Sequence, residues 1–242
     1  MDSMIYDVMD ELSVLAIIPA RSGSKGLPGK NIINCAGRPL ISWSIVAAVE
    51  SKYITRVVVT TDSEEIAEVA KEYGAWVPFL RKPDLAKDDS SITDVVNDVI
   101  NNIKNQFHHD LVILLQPTSP LRTSIHIDDA IDLYFKKKTG KTDTLVSIYE
   151  VDSKCLLAFG IKKDSGNMYS HFGVDLKNPR RQNLPKCYAP NGAIYIAPTN
   201  HFTGFYSENT IPFIMDNEVS IDIDYMDDLE KASAVLSKND VK

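Results

Sequence analysis

Short, continuous apolar runs alternate with amphipathic stretches through the first two-thirds of the chain. Val14–Ile18 and Leu111–Leu115 are apolar throughout, and Arg56–Thr60 is a valine triplet between two polar residues. Runs of this length without polar alternation predict strands buried on both faces. Helix patterns lie between them: Leu40–Glu50 behind Pro39, a segment opening at Asp62-Ser63-Glu64-Glu65 and stopping at Gly74, then Ser91–Lys104 and Ser124–Lys137. Proline suits a helix start, Ser63 can cap, early acids complement the dipole, and glycine ends the last turn. Strands alternating with helices predict an α/β fold whose mainly parallel sheet is covered on both faces.

The pattern changes after about Thr142. Strand-like pieces Leu145–Ile148 and Ala193–Ile196 flank an irregular stretch, Glu150 to Lys186, which reads as an excursion from the main domain, a β-arm or dimerisation element. A strand at Val219–Ile223 and a helix from Asp227 to Leu236 close the pattern. With no repeat and no low-complexity linker, the expectation is one domain over residues 1–242 with an arm inserted at about 149–187.

Composition narrows the classes. A chain of 242 residues is long enough for a large core, and a net charge of -7 argues against a nucleic-acid-binding surface. Cys35, Cys155 and Cys187 are far apart and form no Cys-x-x-Cys pair, which disfavours a disulfide framework or zinc cluster and fits a reducing cytoplasm. No apolar run approaches the ~20 residues that span a bilayer. The expectation is a cytoplasmic protein with neither a membrane nor a nucleic acid as partner.

Against this acidic background, the loop that follows the first strand stands out. Arg21, Lys25 and Lys30 are interleaved with Gly23, Gly26 and Gly29. Glycine lets backbone approach a ligand closely, successive N–H groups form an anion-binding concavity, and the cations add full charge, so the natural client is a polyphosphate. This is not a Walker A loop: five residues separate Gly23 from Gly29, and Lys30 precedes Asn31 rather than Ser or Thr. The Gly-x-Gly-x-x-Gly fingerprint is not met either.

Two further constellations carry chemistry. In Ser220-Ile221-Asp222-Ile223-Asp224, period-two alternation sets two carboxylates on one face and two isoleucines on the other. Paired carboxylates suit Mg²⁺, which takes one or two of them together with substrate phosphates and water. Two solvated acids on an exposed strand would give the same pattern; the cationic loop favours the metal. Gln116 and Thr118, directly after the Leu111–Leu115 strand, lie where open α/β sheets bind ligands, beyond the carboxyl ends of the strands.

The ordered set of blocks resembles the acylneuraminate cytidylyltransferase family, which makes CMP-activated nine-carbon sugar acids and includes CMP-legionaminic acid synthetase-like members. The resembling blocks are Ile18-Pro19-Ala20-Arg21 with Ser24-Lys25-Gly26-Leu27-Pro28 and Lys30-Asn31, then Arg81-Lys82-Pro83-Asp84-Leu85-Ala86 with Ser91, and Leu115-Gln116-Pro117-Thr118-Ser119-Pro120-Leu121-Arg122. They continue as Arg181-Gln182-Asn183-Leu184-Pro185, Asn191-Gly192-Ala193-Ile194-Tyr195 and Ile221-Asp222-Ile223-Asp224, in family order over about residues 14–236. The resemblance implies a three-layer Rossmann-like nucleotidyltransferase domain, with CTP and a 2-keto sugar acid as substrates, Mg²⁺ as cofactor and a homodimer as the assembly. It implies catalytic roles for Arg21, Lys25, Lys30, Asp222 and Asp224, the two acids also holding the metal. Ala20, Arg21, Ser24, Lys30, Asn31, Arg81 and Ser91 would face the nucleotide; Gln116, Thr118, Lys154, Arg181 and Asn191 would face the sugar acid. Sialic-acid-specific members often carry an arginine where this chain has Ala189, which leaves room for a legionaminate-like acceptor; Kdo ranks lower. A nucleotidyltransferase for another sugar or base, or a catalytically silent nucleotide-binding relative, are the alternatives.

Overall fold

The computed structural model of the protein describes residues 12–24, 26–141, 143–172, 184–200 and 202–239. In chain order the strands are β1 (Val14–Pro19), β2 (Asn34–Cys35), β3 (Arg38–Pro39), β4 (Arg56–Thr60), β5 (Leu111–Leu114), β6 (Thr144–Val151), β7 (Phe159–Ile161), β8 (Met168–Ser170), β9 (Cys187–Pro198) and β10 (Thr210–Ile214). The α-helices are α1 (Leu40–Val49), α2 (Glu64–Glu72), α3 (Ile92–Ile103), α4 (Ser124–Lys137) and α5 (Met226–Asn239). The described residues form a central sheet in the order β10-β6-β9-β5-β1-β4.

β1 pairs in parallel with β4 and β5, and β10 in parallel with β6. β9 runs antiparallel to both of its neighbours, β5 and β6. The reason is local. Val151 pairs with Cys187, so β6, the excursion and β9 make one long hairpin, and a hairpin return is antiparallel. The excursion carries a small two-stranded sheet, β7 with β8, and a short 3₁₀ helix at Ser153–Leu157.

Alternation along β1 sorts the layers. Val14, Ala16 and Ile18 pack with Ile41 and Ile45 of α1, Ile66 and Ala70 of α2, and Ile127, Ile131 and Tyr134 of α4. Leu15 and Ile17 face the other way, onto Val96, Val99 and Ile103 of α3 and onto Phe202 and Phe205. Both faces of the sheet are thereby removed from water, as the unbroken apolar strands require. α5 forms a third cluster, in which Leu229, Ala232 and Leu236 meet Leu27, Leu121 and Ile223. That contact brings the end of the chain to the loop after β1.

Helix starts follow the capping signals. The Ser63 side chain accepts from the Ile66 N–H at the head of α2, and Gly74 adopts φ 96° just beyond its end. Replacing Ser63 by alanine is expected to cost about 1 kcal/mol, read as a lower midpoint in urea unfolding with an unchanged slope.

One expectation is corrected. Val219–Ile223 is not a strand: Asn217–Val219 forms a 3₁₀ turn and the next residues lie outside any sheet. This segment is anchored by the Ile223 N–H donating to the Thr118 carbonyl at 2.9 Å, beyond the end of β5. The alternation still holds, with Ile223 buried and Asp222 and Asp224 lining the cleft. The strand that does complete the sheet is β10, whose Pro212 sits on an edge where a missing N–H is tolerated.

Candidate active site

Beyond the carboxyl ends of β1 and β5 the chain leaves a cleft of about 500 Å³. The loop after β1 supplies Arg21, Ser24, Gly26, Lys30 and Asn31; the turn after β5 supplies Gln116, Pro117 and Thr118; the segment before α5 supplies Asp222, Asp224 and Tyr225. Eight residues singled out from sequence thus line one space. Ala20 lies buried beside it, with its N–H donating to the Thr60 carbonyl at 3.0 Å.

The glycine-rich loop is tied down at both ends. Near its start, Asp62 accepts from the Ser22 N–H at 2.8 Å and from the Ser22 hydroxyl at 2.6 Å. At its far end, Asn31 Nδ2 donates to the Arg21 carbonyl at 2.9 Å and folds the loop back on itself. Lys30 Nζ donates to the Ile223 carbonyl at 2.8 Å and approaches Asp224 Oδ1 at 3.1 Å. Gly26 makes the same junction possible sterically, because a Cβ there would stand 2.7 Å from the Asp224 carbonyl oxygen. Arg21 reaches Asp88 at 2.6 Å across the cleft. Asp88 had no readable signal, lying within an ordinary Lys-Asp-Asp run.

The two carboxylates differ. Asp222 is held above the usual carboxylate range, first by withdrawal from water and then by the charges of Asp224 and Asp228, while a hydrogen bond from Thr118 and the Lys30 charge work the other way. Asp224 is paired with Lys30. A carboxylate that is hard to ionise beside a second acid is a place where a cation would be stabilising. Among the described residues no cluster of three or more His, Cys, Asp or Glu could hold a metal alone, so the donor set suits an ion that completes its shell from ligand oxygens and water.

The wall opposite is built by buried polar groups. Arg122 is fully enclosed, and Nη1 donates to the carbonyls of Gln116 (3.4 Å), Ser119 (3.3 Å) and Ala193 (3.2 Å). Its burial lowers the guanidinium to about 9. Gly192, at φ 74°, lets the Gln116 side chain approach the backbone of β9 closely, since a Cβ there would meet Gln116 Oε1 at 2.5 Å.

The remaining predicted residues stand elsewhere. Asn191 is buried behind the wall, accepting from the Ser147 hydroxyl at 2.6 Å and donating to the Ser220 hydroxyl at 3.0 Å. Arg81 is buried, donating through Nε and Nη2 to Thr60, and desolvation lowers it to about 10. Ser91 is exposed at the head of α3. Lys154 lies on the excursion's 3₁₀ helix, 3.9 Å from Asp152. Lys25 and Arg181 lie outside the described residues.

Comparison with known proteins converges on the same chemistry. The family model described as Cytidylyltransferase matches residues 15–163. A CMP-N,N'-diacetyllegionaminic acid synthase of Legionella pneumophila is 40% identical over 88% of this chain and 91% of its own length. An N-acylneuraminate cytidylyltransferase of Escherichia coli is 36% identical over 93% of this chain but 52% of its own length, so the chain spans about half of that relative. A CMP:2-keto-3-deoxy-manno-octonic acid synthetase solved with CTP has a TM-score of 0.70 at 17% identity, over 94% of this chain and 99% of that one, and so shares the fold. No helix among the described residues is long and apolar enough to cross a membrane. With a Rossmann-like three-layer sheet, a cationic glycine loop at its carboxyl edge and these relatives, the chain belongs to the cytidylyltransferase family.

Proposed function

We propose that this protein transfers CMP from CTP to the anomeric hydroxyl of a nonulosonic sugar acid, releasing pyrophosphate. The observation that carries the reading is the meeting of Arg21, Lys30, Gln116, Asp222 and Asp224 in one cleft of a cytidylyltransferase-family chain. The hydroxyl oxygen attacks the α-phosphorus, and the bond from that phosphorus to the α,β-bridging oxygen breaks. Arg21 and Lys30 bind the triphosphate and offset the charge that develops on the bridging oxygen. Lys25, Ser24, Asn31, Ala20, Arg81 and Ser91 are proposed on the nucleotide side. Gln116 can donate and accept at once, which suits a sugar hydroxyl; Thr118, Lys154, Arg181 and Asn191 complete the sugar side in this proposal, Asn191 by holding the wall.

Asp222 and Asp224 are the proposed Mg²⁺ ligands, and the ion when bound orients the phosphates and stabilises their charge. Asp222, the acid whose ionisation is disfavoured, is the better placed of the two to take up the hydroxyl proton. A single domain with a homodimeric assembly through the excursion is proposed on its exposed apolar side chains Phe159, Ile161, Met168 and Phe172. A cytoplasmic location is proposed on the free thiols of all three cysteines.

The acceptor we propose first is a diacetyllegionaminate-type acid, supported by the Legionella relative's near-complete overlap and by Ala189 in β9. The test is pyrophosphate release with Mg²⁺ and CTP across N-acetylneuraminate, N,N'-diacetyllegionaminate, pseudaminate and Kdo, with UTP as control. Turnover with a nonulosonic acid and CTP but not UTP is expected. CTP binding without turnover on any acid, or equal use of UTP, overturns the reading.

A second measurement probes the sugar wall. Gly192→Ala drives a methyl group into Gln116 and places alanine at positive φ. It is expected to lower kcat/KM by roughly 10-fold or more, carried by the KM for the acid and not by that for CTP.

A further inference from the structure

Cys155 and Cys187 are separated by much of the excursion in sequence, yet they come together at its base. The antiparallel pairing of β6 and β9 ends with Val151 opposite Cys187. Immediately after Val151 the chain turns back: the Cys155 N–H donates to the Asp152 carbonyl at 3.0 Å, and the Lys154 N–H to Asp152 Oδ1 at 3.0 Å. The Ser153 hydroxyl then donates to the Pro185 carbonyl at 2.8 Å, clamping the turn onto the residues that enter β9. Cys187 Sγ lies 3.7 Å from the same carbonyl, so Cys155 and Cys187, each two residues beyond a partner in the Ser153–Pro185 clamp, flank one junction. Cys155 is exposed and Cys187 half-buried. Cys35, by contrast, is buried, with its thiol pushed up by desolvation and hydrogen-bonded by Ser233.

We propose that Cys155 and Cys187 form a paired-thiol modification site, closed by peroxides to a reversible disulfide that fastens the excursion at its base. The exposed Cys155 sulfur attacks one peroxide oxygen; the O–O bond breaks, and the leaving oxygen departs with the thiol proton as water. The resulting sulfenic acid is attacked by the Cys187 sulfur, the S–O bond breaks, and the second oxygen leaves with the Cys187 proton as a second water. Two thiols lose two protons and two electrons, and one hydrogen peroxide takes up both to become two waters. Withdrawal from water and the neighbouring thiol both hold Cys187 protonated, which fits it as the resolving partner rather than the first to react. Nothing in this chemistry draws on the cleft or on the nucleotide reaction.

The test treats the full-length protein with hydrogen peroxide and measures intact mass, followed by limited trypsin digestion. Lys162 and Lys163 lie between the two cysteines, in the exposed turn that links β7 to β8. The oxidised protein is expected to weigh two hydrogens less, to keep its two tryptic pieces joined on a non-reducing gel, and to release them with dithiothreitol. Cys155→Ser and Cys187→Ser should each abolish the joining, while Cys35→Ser should leave it intact. Oxygen addition at Cys155 with no cross-link, or a disulfide between two copies through Cys155, overturns the proposal.

Discussion

Replacing Lys30 by alanine is expected to lower kcat/KM for CTP by about 10²–10³-fold, the range seen when one preorganised charge-stabilising donor is removed. The folded state should suffer far less. Lys30 makes one hydrogen bond to a backbone carbonyl and one contact to an exposed acid, a loss on the order of 1 kcal/mol. The two effects are measured separately, by pyrophosphate-release kinetics and by denaturant unfolding. Lys30→Arg distinguishes charge from placement: a guanidinium keeps the charge but does not reproduce a point contact with both the Ile223 carbonyl and Asp224. Activity within a few-fold of wild type in Lys30→Ala would remove the loop from the reaction.

Asp222→Asn is expected to be nearly as damaging to turnover, roughly 10²-fold or more, through loss of both the proposed metal ligand and the proposed proton acceptor. Its effect on stability has the opposite sign. The folded protein holds the Asp222 carboxyl above its usual range, so the protonated form is the one that folding favours. That contribution is present at pH below the ordinary carboxylate value and is lost as pH rises through the raised one. Asparagine, neutral throughout, escapes the loss. In metal-free buffer near neutral pH the variant should therefore melt no lower than wild type, and the two should converge on acidification. Adding Mg²⁺ should raise the wild-type melting temperature more near neutral pH than in acid, and should do little for the variant, because a metal ligand must be deprotonated. A variant that turns over normally, or that gains as much from Mg²⁺ as wild type does, contradicts the assignment.

Much of this architecture was legible because apolar runs and capping residues carry their own instructions. β1, β4 and β5 lie where continuous valine, leucine and isoleucine place them, and Ser63 and Gly74 bound α2 as their chemistry demands. The Asp222–Asp224 segment was half legible. Its alternation is real, but alternation records only that one side is buried, and here the burial comes from Leu121 and α5 rather than from a neighbouring strand. β10 was hidden by Pro212, which reads as a breaker unless the strand is known to lie at an edge. Asn191, a candidate substrate contact in sequence, is instead surrounded by Ser147, Ser220 and Met215, and that could not be read because its partners are distant in the chain. Asp62 was read only as part of a helix start for the same reason: its hold on the loop depends on Ser22 being brought beside it by the pairing of β1 and β4.

The bond from Lys30 to Ile223 joins residues 193 positions apart. Contacts of such long range raise contact order and close late, after the entropy of a large loop has been overcome. During synthesis, the glycine loop emerges long before the segment that anchors its far end. The sheet from β1 to β9 can assemble around it while the cleft still lacks both carboxylates. A chain released before residue 222 would thus keep most of its core and lack both Asp222 and Asp224, the proposed Mg²⁺ ligands. The cleft is therefore completed only after residues 222–224 have emerged, and until then a nascent chain has a long interval in which its fold and its chemistry are decoupled.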